Sequence, residues 1–138
     1  MITVSAAIRV RYAETDAMGI AYHGNYLPWF EVARVALLAQ IGLNYRALDE
    51  AGFLLPVLEA NLRYLASARF DDELRVTAIL REPPRARIKI EYTVHRGDQL
   101  LTTGHTLHAF MNRAGTAIKP PLFVQEKFAA AFTAKQEK

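Results

Sequence analysis

Residues 26 to 41 form an apolar stretch whose side chains need packing partners on more than one side. A surface helix shows a single apolar stripe, whereas the apolar side chains here lie around almost the whole circumference of a helix. Pro28 suits a first helical turn, Asn25 or Gly24 can cap it, and Gly42 ends it. The pattern predicts a helix from Tyr26 to Ile41 that other elements must wrap, with these apolar residues: Trp29, Phe30, Val32, Ala33, Val35, Ala36, Leu37, Leu38 and Ile41.

Strand patterns supply the wrapping elements. Residues 2 to 10 alternate between apolar and polar side chains, as do residues 58 to 64, 74 to 80 and 88 to 94. A further strand is predicted from Leu100 to Asn112, and Gly97-Asp98 suits the hairpin turn before it. We therefore expect one strand before the long helix and four antiparallel strands in succession after it.

Two further helices complete the predicted order of elements. Asn44 suits the cap of a short helix that runs to Ala51, and Gly52 suits its end. The residues from Pro121 onward predict a terminal helix that frays towards Lys138. With 138 residues, 51% of them apolar, the chain has enough material for one core, so we predict a single domain over residues 1–138.

Composition excludes several classes of function. The chain has no cysteine, which excludes disulfides, thiolate catalysis and thiolate metal sites. Its net charge of +3 comes from 17 basic and 14 acidic residues that are interspersed along the chain, which argues against nucleic-acid binding. The first residues lack a signal-peptide pattern, and the long apolar helix is shorter than the roughly 20 residues of a membrane span. We expect a cytoplasmic protein with no membrane association.

The segment from Val10 to Phe30 joins a strand, an acidic loop and a helix start. Unpaired N–H groups and a positive partial charge at a helix N-terminus suit a carbonyl oxygen that becomes negative, and Asp16 lies a few residues upstream. Neither Ser5 nor Ser67 lies in a nucleophile elbow, and we expect no metal site. What remains is a carboxylate mechanism, in which Asp16 attacks a carbonyl carbon or deprotonates a water.

Each of these residues also has a purely structural interpretation. Taken alone, Asp16 suits a turn or cap, and His23 suits a structural hydrogen bond. Asn25 suits a helix cap, and Glu14 suits a solvated position. The combination of Asp16 with the helix start is what favours catalysis.

The order of Tyr12, Asp16, His23, Asn25 and Tyr26, followed by an aromatic helix, resembles the 4-hydroxybenzoyl-CoA thioesterase family. Residues 56 to 72 resemble the second strand of that family and its following turn, so the resemblance covers roughly residues 6 to 112. It implies an α+β hotdog fold, in which an antiparallel β-sheet wraps around a long central α-helix. It also implies hydrolysis of an acyl-CoA to a free acid and CoA, without metal or redox cofactor.

The resemblance assigns roles to individual residues of the loop. Asp16 is expected to be the catalytic carboxylate, and the backbone amide of His23 is expected to polarise the thioester carbonyl. The His23 side chain is a further candidate, and Gly19, Tyr22 and Asn25 are expected to form the substrate site.

Other candidate residues lie further along the chain. Glu59 is expected to line the substrate pocket or to pair with Arg63, and both Glu59 and Glu31 are alternatives to Asp16 as the catalytic acid. In the family, basic residues at the turn that corresponds to Pro83-Pro84 hold the CoA phosphates. Arg85 and Arg87 are therefore the first candidates in this chain. A solvated strand end paired with Glu82 is the alternative interpretation of this basic turn.

The resemblance also implies oligomers, because the family pairs two protomers into a continuous sheet with active sites between them. A homodimer or a homotetramer is expected. The acyl group is aromatic or a short to medium aliphatic chain. Two other functions stay open at this point: a non-catalytic acyl-CoA-binding module, and a dehydratase of the same fold.

Overall fold

The computed structural model describes residues 1–136 of the chain, and its long elements follow the predicted order. The predicted strand from Leu100 to Asn112 is divided at Phe110 into two strands, and a short strand after the second helix was not predicted. The bounds are β1 Ile2–Arg9, α1 Tyr26–Gln40, α2 Tyr45–Glu50, β2 Phe53–Leu54, β3 Val57–Tyr64, β4 Glu73–Leu80, β5 Arg87–Arg96, β6 Gln99–Ala109, β7 Met111–Asn112 and α3 Leu122–Gln136. The α+β class with an antiparallel sheet and a long helix is therefore confirmed. The predicted fraying extends to residues that lie outside the described part of the chain.

The five long strands form one antiparallel sheet in the order β1-β4-β5-β6-β3. β3 does not pair with β4, which follows it in sequence, but crosses to the far edge and pairs with β6. The register places Arg9, Tyr64 and Arg96 at one end of the sheet, which we call the loop end. Ile2 and Arg87 lie at the other end, which we call the turn end.

The core lies between the sheet and one side of α1. Phe30 of α1 stacks on Tyr92 of β5 with ring centroids 4.3 Å apart. Gly104 of β6 makes this close approach possible, because a Cβ there would lie 2.8 Å from the Phe30 ring and 2.5 Å from a backbone oxygen of β3. The opposite side of α1 is not wrapped: Leu27 and Val32 are 42% and 46% exposed.

The short helix α2 confirms the predicted cap and end. The Asn44 side chain accepts a hydrogen bond from the Ala47 N–H at 2.8 Å, and Gly52 adopts a φ of +85°, which favours glycine. The two-stranded pair of β2 and β7 lies beyond this helix. These local signals operate within a few residues, which is why the sequence alone reveals them.

Among the described residues the outer edge of β3 is open, because β3 pairs only with β6 in the sheet. Large apolar side chains on and just after this strand are about half exposed: Val57, Leu58, Tyr64 and Leu65. Within residues 1–136, no helix is both long enough and apolar enough to cross a membrane. The cytoplasmic location stays a prediction.

Candidate functional site

A tight loop at the loop end of the sheet holds Asp16. An isolated bridge between Thr15 and Ala21 closes the loop, and the Asp16 N–H donates to the Ile20 carbonyl at 2.9 Å. Gly19 adopts a φ of +78°, which lets its N–H donate to the Asp16 carbonyl at 3.0 Å. One carboxylate oxygen of Asp16 accepts the Met18 N–H at 2.9 Å. Asp16 thus makes the turn bond that its structural interpretation predicts, and within residues 1–136 only one of its two carboxylate oxygens accepts a hydrogen bond.

Glu14 joins this loop to α1, a role that the sequence analysis missed. Its side chain is buried rather than solvated, and it accepts hydrogen bonds at 2.8 Å from the Arg11 N–H and from the Trp29 indole. Burial opposes ionisation of Glu14, but these hydrogen bonds outweigh burial and hold its pKa below the usual value. The anchor fixes the strand–loop segment against the helix that follows it.

The start of α1 is a short 3₁₀ turn over His23–Asn25 that leads directly into the α-helix. Tyr22, which precedes this turn, is extended. The N–H groups of His23 and Gly24 are therefore the first of the helical segment, and no earlier turn provides a carbonyl for them to bind. Asn25 is not the cap that the sequence suggests, because its backbone is already helical. Its side chain instead donates to the Glu14 carbonyl at 2.6 Å, which makes a second tie between loop and helix.

A cavity of about 110 Å³ brings the loop and the helix start together. Tyr64 enters it from the end of β3, and its hydroxyl donates to the His23 carbonyl at 3.0 Å. Burial raises the pKa of Tyr26 and of Tyr64, so both keep their phenolic protons at neutral pH. The lining residues are Asp16, Met18, Ile20, Ala21, His23, Tyr26, Tyr64, Ala66 and Ser67.

The remaining candidates of the loop lie beside this cavity rather than in its wall. The Tyr22 ring lies 4.4 Å from the His23 ring, centroid to centroid, and is about half exposed. Gly24 lies directly under that ring, because a Cβ at Gly24 would lie 2.7 Å from it. Gly19 forms the exposed tip of the loop. Of the sequence candidates, the cavity therefore joins Asp16 and His23 directly.

The two alternative acids do not line this cavity. Glu31 is exposed on α1. Glu59 pairs in register with Leu107, and Tyr64 pairs with Thr102, so Glu59 and Tyr64 project from opposite faces of β3. Since Tyr64 enters the cavity, Glu59 points away from it. Within one protomer Glu59 therefore does not line the cavity that holds Asp16, and its place in a substrate pocket stays a prediction.

Arg85 and Arg87 lie at the turn end of the sheet, away from Asp16. They line a groove of about 600 Å³ beside the Pro83-Pro84 turn. Arg81 in this groove pairs with Glu91. Within the described residues, no carboxylate pairs with Arg85, Arg87 or Lys89. The groove therefore offers several cations to an anionic ligand.

No group of three or more His, Cys, Asp or Glu side chains suited to a metal ion occurs in residues 1–136. His105 and His108 lie on opposite faces of β6, as their spacing predicts. His108 is buried and takes part in a core hydrogen-bond network.

Comparison with known proteins identifies relatives over most of the chain. Residues 10–132 match the family described as the Thioesterase-like superfamily. The YneP protein of Bacillus subtilis is 53% identical over 57 residues, a match that covers 41% of this chain and 41% of YneP. The acyl-CoA thioesterase YbgC of Haemophilus influenzae is 31% identical over 127 residues, 91% of this chain and 92% of YbgC.

A solved structure extends the comparison to three dimensions. The DHNA-CoA thioesterase of Staphylococcus aureus is 30% identical, with a TM-score of 0.90 over 99% of this chain and 95% of that chain. The fold expected from the resemblance, an antiparallel sheet with a long helix packed on it, is thereby confirmed.

Proposed function

This chain belongs to the thioesterase-like superfamily, and we propose that its CoA thioester hydrolysis takes place in the cavity between Asp16 and the start of α1. One observation carries the proposal. A carboxylate and the open N-terminus of a long helix line the same small cavity, together with the His23 imidazole and the phenols of Tyr26 and Tyr64. A thioester needs little more, because a thiolate is a good leaving group.

The thioester carbonyl oxygen accepts hydrogen bonds from the N–H groups at the helix start, with that of His23 as the main donor. Asp16 then acts in one of two ways. It attacks the carbonyl carbon to form an anhydride and release the CoA thiolate, and water cleaves the anhydride. Alternatively, it takes a proton from a water that attacks the same carbon. Both routes yield the free acid and CoA without a cofactor, and the His23 imidazole is a further donor beside the carbonyl.

Neighbouring residues position this pair. Glu14 and Asn25 tie the loop to α1, and the Tyr64 hydroxyl holds the His23 carbonyl at 3.0 Å. Gly19 permits the turn that orients Asp16, and Tyr22 shields one side of His23. A loop held at this many points keeps the carboxylate oriented before substrate arrives.

A homodimer paired through the open edge of β3 accounts for the position of the basic groove. Asp16 lies at the loop end, and Arg85 and Arg87 lie at the turn end of the same sheet, about 27 Å away along an eight-residue strand. A two-fold axis between the open edges of the two β3 strands makes these strands antiparallel. The loop end of one protomer therefore lies beside the turn end of its partner. Three strand spacings, about 14 Å, then separate Tyr64 of one protomer from the partner strand that begins at Arg87.

We accordingly propose that each CoA molecule spans two protomers. Its thioester lies in the cavity of one protomer, and its phosphates lie against Arg85 and Arg87 of the other. The exposed apolar side chains of β3 support this arrangement, because pairing would bury them. The cavity of one protomer is far smaller than the roughly 300 Å³ or more of a typical ligand pocket, so the acyl site also requires the second chain.

The acyl group is aromatic or a short to medium aliphatic chain in this proposal. The name of the Staphylococcus aureus relative specifies DHNA-CoA, an aromatic acyl-CoA, whereas the YbgC name specifies acyl-CoA alone. A panel of thioesters is therefore needed.

The test is release of free thiol from aromatic and aliphatic acyl-CoAs by the wild type and by Asp16→Asn. The change keeps the shape of the side chain and its acceptor for the Met18 N–H, but removes the carboxylate. We expect kcat to fall by more than about a hundredfold, roughly 2.7 kcal/mol of transition-state stabilisation. Asp98→Asn, an exposed change in the β5–β6 turn, is the matched control and should retain full activity.

Full activity of Asp16→Asn would refute its assignment and direct attention to Glu31 or His23. Tight binding of acyl-CoA by the wild type, with no thiol release from any thioester, would instead favour the binding module. Hydration of an enoyl-CoA would favour the dehydratase.

A further inference from the structure

Another cavity lies at the turn end of the sheet, and of its lining residues the chemistry above uses only Arg85. Its volume is about 630 Å³, within the usual range of small-molecule sites. The rings of Pro83 and Pro84 form one side, and α3 forms the other. Phe128 and Phe132 of α3 present apolar surface from below, and both are nearly fully buried.

The polar groups of this cavity are few and lie near its rim. Arg85 and Lys119 supply positive charge. The Gln125 amide nitrogen donates to the Pro120 carbonyl at 2.7 Å, which leaves its own carbonyl oxygen as a possible acceptor. Apolar, aromatic walls beside two cations suit a flat, uncharged ring system that carries a phosphate at its side.

Arg85 connects this cavity to the groove that holds Arg87 and Lys89, since it lines both. One molecule bound across Arg85 can therefore place its anionic groups in the groove and its ring in the cavity. Adenosine 3′,5′-bisphosphate, the nucleotide end of CoA, has this combination of a flat base and phosphates.

We propose that the cavity between the Pro83-Pro84 turn and α3, which we call the α3 cavity, binds the adenine ring of CoA. The inference rests on the proposed function and extends it to a specificity site: the enzyme selects CoA thioesters over thioesters of phosphopantetheine alone. In the proposed dimer, the α3 cavity of one protomer serves the Asp16 of its partner.

Filling the α3 cavity tests this proposal. Ala129 lines the cavity, and its neighbour Ala130 faces a separate cavity on the other side of α3. Both are exposed on the helix. Ala129→Trp should raise KM for an acyl-CoA about tenfold, the size of one lost base-stacking contact. Ala130→Trp, the matched control, adds the same bulk to the same helix and should leave KM unchanged.

The decisive readout uses two substrates with one acyl group, the acyl-CoA and the acyl-4′-phosphopantetheine, which lacks the adenosine 3′,5′-bisphosphate portion of CoA. We expect Ala129→Trp to change KM only for the acyl-CoA. Adenosine 3′,5′-bisphosphate should also inhibit the wild type competitively against acyl-CoA, and inhibit Ala129→Trp about tenfold more weakly. Thr133→Trp, which fills the same cavity, replaces Ala129→Trp if that variant fails to fold.

Equal effects of Ala129→Trp on both substrates, or none on either, would overturn the inference while leaving thioester hydrolysis intact. The same holds if the wild type has one KM for both substrates. Inhibition by the bisphosphate that is not competitive would place a free nucleotide, rather than substrate CoA, in the cavity, and would also overturn it. Failure of the proposed function is a different result, because the wild type would then cleave neither substrate.

Discussion

Protonation of His108 should destabilise the fold, and the hydrogen-bond network around it explains why. The His108 Nδ1 atom lies 3.2 Å from the Leu55 carbonyl, which only accepts, so Nδ1 carries the proton. Arg34 donates to the Tyr92 hydroxyl, and Tyr92 bonds to Thr106 at 2.7 Å. The Thr106 hydroxyl then donates to His108 Nε2 at 2.8 Å. In this series of hydrogen bonds each group donates to the next one, and the last acceptor is the unprotonated Nε2 of His108.

A proton on Nε2 of His108 would change this atom from an acceptor into a donor, against the direction of the hydrogen bonds, in a buried site. Burial, together with the positive charge of Arg34, lowers the pKa of His108 to about 4 from its ordinary value of 6.5. The unfolded chain therefore binds a proton that the folded chain rejects, and stability falls as pH decreases from about 6.5 towards 4. From pH 7.5 to pH 5, linkage predicts a loss of about 2 kcal/mol from this group.

Urea unfolding of the wild type and of His108→Asn at pH 7.5 and pH 5.0, at one protein concentration, measures this loss. The variant is less stable at both values, but its free energy of unfolding should fall by about 2 kcal/mol less than that of the wild type. The lower pH value of 5 keeps Glu14 and Asp72 ionised, since hydrogen bonds hold their pKa values below the usual range. Parallel losses in the two proteins would refute a neutral, proton-rejecting His108.

Two further predictions concern the loop and the dimer. Glu14→Gln should lower the free energy of unfolding at pH 7 by about 2 kcal/mol, because charge-assisted hydrogen bonds to the Arg11 N–H and the Trp29 indole weaken. Because the pKa of Glu14 is held below its usual value, the gap to wild type should persist through the usual carboxylate range and narrow only as pH falls through that lowered pKa. An exposed control, Glu126→Gln, should show neither effect. Co-expression of Asp16→Asn with an Arg85→Ala/Arg87→Ala double variant should restore about a quarter of wild-type activity at limiting acyl-CoA. Half of the randomly paired dimers contain one chain of each variant, and each of these dimers keeps one intact site of its two. No recovery of activity would show that each site uses one protomer alone.

Much of the fold was predictable from the sequence because its signals are local. The alternation of apolar residues predicts the long strands, and the cap at Asn44 and the turn at Gly52 depend on neighbours within four residues. The helix from Tyr26 follows from an apolar pattern over fifteen residues. Asp16 beside a helix start is also a local feature, so the sequence indicated it as the candidate carboxylate.

Residues that depend on distant partners were interpreted less well. Glu14 looked solvated because its partners, Arg11 excepted, are fifteen residues away on α1. Asn25 looked like a cap, but Glu14 provides a carbonyl that its side chain binds instead. Glu59 lies on the face of β3 opposite Tyr64, a placement that the sequence alone did not give, and its role in a substrate pocket stays a prediction.

The sequence by itself determined the elements, their order and the Asp16 loop, since propensity, periodicity and capping act over a few residues. The tertiary structure alone decided the crossing of β3 to the edge beside β6, because strand partners are chosen by long-range packing that no local pattern encodes. That crossing brings Tyr64 to the helix start and leaves the outer edge of β3 open. The pairing of β1 with β4 and of β4 with β5 places Arg85 and Arg87 at the opposite end of the sheet from Asp16, the separation on which the proposed two-protomer site depends.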